Sequence, residues 1–128
     1  MNLLIWFSFT LLMVIINWQL IEHQIYPSHP LNAIITCALA ALFAMIDKRP
    51  KWFTVLCALF TYWFAFDTLL NIFRHEPIAY LGTISKVDLI SEYLIPYSGP
   101  VFWFKLILFL GFTLAYYFNY DKDGNLKY

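Results

Sequence analysis

Charge is scarce in this sequence. Asp, Glu, Lys and Arg make up 12% of its 128 residues, 8 acidic against 8 basic. A soluble domain carries about 25%. So few polar groups cannot clothe a globule in water. The balanced count leaves no field to recruit DNA or RNA, so no nucleic-acid partner is expected. Glycine is rarer still, at 4 residues, and no Gly-rich phosphate loop can be built from them. Cys37 and Cys57 each sit in an apolar run with no CxxC. They read as buried thiols packing as small hydrophobes, not as a disulfide or redox pair. No Lys or Arg precedes Lys48, and no small-x-small site follows the first apolar run. A cleaved signal peptide is therefore not expected, and that run reads as retained. GxSxG, a Ser-His-Asp order, a Cys–His pair and HExxH are all missing as well. No catalytic residue, metal or cofactor is expected on these grounds.

What is present is apolar surface. Hydrophobic residues reach 62% and aromatic residues 21%, with 13 Phe and 9 Tyr. That composition excludes a disordered chain and a coiled coil, and points to an integral membrane protein with the lipid bilayer as its solvent. One domain is expected over residues 1–128, because the chain is too short for two cores. Four apolar runs stand out, at about 3–21, 31–46, 52–73 and 101–120. The expected fold is all-α, a four-helix transmembrane bundle. Pro30 suits the first turn of the second helix. That helix is short and rich in small residues, with Ala33, Cys37 and Ala41 at i, i+4, i+8, and Ala40 with Ala44 as a second pair. The spacing permits close backbone approach and puts this helix at the centre of the bundle. Alanine's plain helix propensity is the other reading. Between the third and fourth runs, residues 85–95 read as a short interfacial amphipathic helix. Ser85 and Asp88 would cap it, and Val87, Ile90 and Leu94 would form its apolar side.

Orientation follows the basic residues of the short loops. Lys48, Arg49 and Lys51 crowd the second loop, and Lys122 and Lys127 follow the fourth run. The first loop has none, and the long third loop has Arg74 and Lys86. Both chain ends and the basic turn are expected on the cytoplasmic side, in a bacterial inner membrane. Loops 22–30 and 74–100 would face the opposite side, with Tyr26, Tyr80, Tyr93, Tyr97 and Trp103 as an aromatic belt there.

Ionisable residues inside spans mark either function or register. Asp67 lies seven residues before Arg74, and Lys105 six after Gly99. At about 1.5 Å per residue both sit about 10 Å below the same end, so they are expected to pair. Asp67, Asn71 and Arg74 share one helix face at i, i+4, i+7. Asn17 and Gln19 of the first run lie at similar depth, with Glu22 and His23 just above. Such a cluster reads either as a small binding site or ion path open to the outer side, or as a charge pair that fixes helix register. For Lys105 a snorkelling stem is a third reading. The inner half of each span reads as almost wholly apolar, which weighs against a through-going path. His23, His29 and His75 all fall in the outer loops near Glu22 and Glu76. Without ligand spacing they read as solvated rather than metal-bound, and their place outside the spans excludes a haem-anchoring bundle. The stretch Asp121-Lys122-Asp123-Gly124-Asn125 begins like a calcium loop but lacks its length and final Glu.

Length and span count are similar to those of the small multidrug-resistance transporters, but their acidic residue within the first span is missing. The glycine-rich and Phe-polar motifs of fluoride channels and the paired cysteines of vitamin K epoxide reductases are missing too. Asn17-Trp18 with Glu22 and His29, then Phe66-Asp67, Asn71, Arg74, Tyr80-Leu81-Gly82 and Asp88, resemble uncharacterised small four-span proteins of bacteria and their phages. That resemblance implies no activity and leaves a lysis or membrane-modifying role open. The expected function is non-enzymatic: an accessory or assembly protein acting through helix packing, as a homo-oligomer or with a membrane-protein partner. The alternatives are a small-solute or ion pathway, including a holin-like pore using Asp67 and Lys105, and a membrane enzyme using Glu22 and the loop histidines.

Overall fold

A computed structural model of the chain describes residues 3–25, 29–78, 98–121 and 123–127. The fold is all-α, with helices α1 (Leu3–Glu22), α2 (His29–Ile46), α3 (Lys51–Phe73) and α4 (Ser98–Phe118). Leu3–Glu22, Lys51–Phe73 and Pro100–Phe118 are long and apolar enough to cross a membrane. The apolar stretch of α2, Pro30–Ile46, is shorter; at about 1.5 Å per residue it spans about 26 Å, against a hydrocarbon core of about 30 Å. The expected interfacial helix at 85–95 lies outside the described residues, as do Tyr26, Tyr80, Tyr93 and Tyr97.

Local chemistry sets the helix ends. Pro100 lies in the first turn of α4. A missing N–H does no harm there, because first-turn N–H groups have no intrahelical acceptor. The fourth helix also stops at Phe118, short of the expected 120, because Tyr120 pairs in an antiparallel bridge with Leu126. α1 and α3 end alike. Ile25 N–H donates to Leu20 O and Gln24 N–H to Ile21 O; Glu76 N–H donates to Asn71 O and His75 N–H to Ile72 O. These paired bonds are Schellman caps, which need a left-handed residue. Gln24 (φ 59°) and His75 (φ 57°) supply it where glycine is usual.

Side-chain contacts fix the helices as antiparallel neighbours. Late α1 meets early α2 at Asn17 and Asn32, and late α3 meets early α4 at Asp67 and Lys105. α3 is the hub, and α1, α2 and α4 all pack against it. This corrects the expected central place of α2. Ala40 and Ala44 do turn inward with Phe43, but Ala33, Cys37 and Ala41 face outward. Cys57 is buried as expected, whereas Cys37 is exposed. A helix that is apolar all round carries no stripe to reveal which face turns in. The core gathers Leu3 and Trp6 of α1, Ala40 and Phe43 of α2, Phe53, Cys57 and Ala58 of α3, and Tyr116 of α4. Trp6 Nε1–H donates to Ala58 O at 2.6 Å, tying α1 to α3. An aromatic seam joins α3 to α4, with Phe60 and Phe64 on Phe112 and Phe109 at 4.8 and 5.0 Å.

Candidate functional site

Two polar clusters lie at opposite ends of the bundle. At the first, Lys105 of α4 donates to Asp67 Oδ2 of α3 in an ion pair. The Lys105 side chain is 4% exposed and that of Asp67 32%. The Lys105 ammonium also lies 4.8 Å from the centroid of the Trp63 ring, so the ring face shares the charge. The depth match in the sequence is met by this contact. The described bonds of the other stripe residues lead elsewhere. Asn17 Nδ2 donates to Met13 O in its own helix, and its Oδ1 accepts from Asn32 Nδ2 of α2 at 2.7 Å. Asn71 Nδ2 donates to Ile78 O at 3.1 Å, pinning the segment after α3. Arg74 caps α3, its N–H donating to Leu70 O. Deeper in, the Tyr62 hydroxyl approaches Thr36, but neither oxygen reaches hydrogen-bond geometry. Both remain buried polar atoms between α2 and α3.

The loop candidates are dispersed. Glu22 is the last residue of α1, and His23 Nδ1–H donates to Gln19 O at 2.8 Å. His75 is the left-handed cap of α3, and His29 opens α2. Among the described residues, no three His, Cys, Asp or Glu side chains are grouped to hold a metal ion.

The second cluster was missed in the sequence, where residues 47–51 read only as a basic turn. Asp47, 2% exposed, closes α2. Its Oδ2 accepts from the Tyr116 hydroxyl of α4, its Oδ1 accepts from the Arg49 N–H at 2.8 Å, and Arg49 Nη1 lies 3.3 Å from Oδ2. The Arg49 guanidinium stacks 3.8 Å from the Tyr116 ring centroid, and its Nε–H donates to Tyr116 O. Burial pushes the Asp47 carboxyl up, but the bonds from Tyr116 and the Arg49 N–H, with the Arg49 charge, outweigh it. The carboxyl is held below the usual carboxylate range. Basic residues cap both helices that end here. Lys51 Nζ donates to Met45 O and Asp47 O at the end of α2, and Lys127 Nζ to Tyr117 O at the end of α4. A cation at a helix C-terminus satisfies carbonyls and complements the dipole. The signal available in the sequence was Asp47 itself, the one acid among four basic or Pro neighbours.

The segment after α4 folds back onto this end. Asp121 Oδ1 accepts from the N–H groups of Asp123 and Asn125 at 2.8 and 2.9 Å. What begins like a calcium loop is thus a turn closed on its own carboxylate. Those backbone N–H donors hold the Asp121 carboxyl below its usual range.

No family model, curated protein or solved structure matches this chain. Fold and clusters are therefore read from its own residues. Each cluster holds a charge-neutral pair, and both fasten α4: at one end to α3, at the other, through Tyr116, to the α2–α3 turn.

Proposed function

We propose that this chain is an integral membrane protein whose four helices cross the bilayer. It acts as an accessory or assembly protein, through helix packing, as a homo-oligomer or with a membrane-protein partner. The supporting observation is the direction in which side chains face. Leu4, Ile5 and Leu12 of α1, Ile34, Leu42 and Met45 of α2, and Trp103, Ile107 and Leu114 of α4 are all exposed. Lys105, the charged residue deepest in α4, is turned inward onto Asp67. This inversion suits a solvent of hydrocarbon, where polar groups must be satisfied inside. Both ends of the chain lie on the cytoplasmic side of a bacterial inner membrane in this reading, as the basic residues around the Asp47 cluster favour. Alkaline extraction is expected to leave the chain in the membrane, and crosslinking in native membranes to trap a defined oligomer or partner. Crosslinking that returns only monomer would overturn the assembly role.

A second reading, a small-solute or ion pathway, gains from one observation. Buried polar side chains occur in both halves of the bundle, with Asn17, Thr36 and Lys105 toward one end and Thr54 and Asp47 toward the other. The sequence had suggested an apolar inner half. Ion or solute flux in proteoliposomes that falls in Asp67→Asn supports the pathway; flux that is absent or unchanged in that variant removes it.

A further inference from the structure

Residues 119–121 and 123–127 form a short strap. Tyr120 bridges Leu126, Lys127 N–H donates to Asn119 O at 3.0 Å, and Gly124 N–H donates to Asp121 O at 3.2 Å. The strap seats on the α2–α3 turn at two points. Lys48 Nζ donates to Asp123 Oδ1 at 2.8 Å. Gly124, at φ 83°, lies so close to the turn that a Cβ there would sit 2.1 Å from Lys48 O. We propose that this strap is an electrostatic latch, and that anionic lipid headgroups compete with Asp123 for Lys48 and so release it. The proposal rests on the membrane reading above.

Four features carry it. First, the strap follows the last turn of α4, so it lies where a spanning helix leaves the hydrocarbon. Trp52, exposed beside the turn, marks the same level. Second, the Lys48–Asp123 pair is open to water, with side chains 65% and 72% exposed. Such pairs are weak and easily screened. A headgroup phosphate offers Lys48 the same charge as Asp123, and a surface rich in such groups attracts lysines near it. Third, the other described amines at this end are already engaged by carbonyls: Lys51 with α2 and Lys127 with α4. Lys48 is the one among them held by an anion. Fourth, release is local. The Asp47, Arg49 and Tyr116 contacts beneath are complete without the strap. The tight Gly124 seat makes the strap either seated or off, since no intermediate register fits a residue against the Lys48 carbonyl.

The test is hydrogen exchange of the full chain in floated vesicles of phosphatidylcholine, and of an equal mixture with phosphatidylglycerol. The N–H hydrogen bonds of residues 123–127 lie within the strap, and so short a bridge does not persist once unseated, so these amides are expected to exchange several-fold faster in the mixture. Lys48→Gln and Asp123→Asn are expected to exchange fast in both lipids, and Gly124→Ala likewise, because its Cβ unseats the strap. Equal protection of the unaltered chain in the two lipids overturns the latch. So does lipid-dependent exchange that persists in Lys48→Gln. Sodium phosphate opening the strap in phosphatidylcholine alone would show simple ion screening and overturn the headgroup assignment. Failure of the chain to float with either vesicle counts against the membrane reading instead.

Discussion

Removing the Asp67 carboxylate should be more harmful than removing the Lys105 ammonium, although the two form one ion pair. The asymmetry comes from burial: Lys105 is 4% exposed and Asp67 32%. In Asp67→Asn the ammonium is left enclosed without a counter-charge. Breaking a buried pair from one side costs about 3–5 kcal/mol. The long Lys105 stem lets the ammonium reach toward the near end of the bundle, which brings the expected loss to about 2–3 kcal/mol. In Lys105→Met the remaining carboxylate is less enclosed than the ammonium was, and the expected loss is about 1 kcal/mol. With both changes no charge is stranded, so the double variant should lose little more than Lys105→Met alone. The coupling is then about 2 kcal/mol. Reversible unfolding in mixed detergent micelles, or steric trapping in bicelles, measures all four corners of the cycle. Losses additive to within about 0.5 kcal/mol, or Lys105→Met as damaging as Asp67→Asn, would refute the reasoning.

Tyr116→Phe removes the hydroxyl that reaches Asp47 and should lower stability by about 1.5–3 kcal/mol in the same unfolding assay. Because the Asp47 carboxyl is held low when folded, its contribution is complete above about pH 4 and is lost as pH falls through the folded value. The acid-induced drop in unfolding midpoint should therefore be smaller in Tyr116→Phe than in the unaltered chain. Gln24→Gly and His75→Gly each relieve a left-handed non-glycine cap and should stabilise by about 1 kcal/mol; a loss at either site would show that the side chain matters more than its backbone. Trp6→Phe keeps the ring packing but strips the donor from Ala58 O, and should cost about 1–2 kcal/mol in thermal or detergent unfolding. An unchanged midpoint would mean that the bond contributes nothing.

The long helices were legible because an apolar run of about 20 residues in a weakly charged chain has few other outcomes. The Asp67–Lys105 contact was legible for a similar reason: two charges in antiparallel helices need only lie equally far from the same end, and that is residue counting. Rotation about a helix axis was not legible. Where outward and inward residues are equally apolar, Ala33 and Ala40 look alike, though one faces out and the other lies in the core. The Asp47–Tyr116 bond joins residues 69 apart, and nothing local distinguishes Tyr116 from Tyr117 beside it. The folded-back segment was hidden for another reason. Its anchor is the absence of a side chain at Gly124, visible only once the Lys48 carbonyl is known to lie against it.

The hub position of α3 has a consequence for synthesis. α1 and α2 are made first, yet their main packing partner is neither of them. Until α3 has followed, they share the Asn17–Asn32 amide bond and the Trp6–Phe43 ring contact. The nascent pair must therefore wait, loosely associated, for the third helix to be made. A chain cut short near residue 50 would hold two helices with little to join them. One cut short near residue 78 would hold a three-helix body already closed around Ala58 and Trp6. α4, made after these three, is then fastened at both ends, to α3 at one and to the α2–α3 turn at the other.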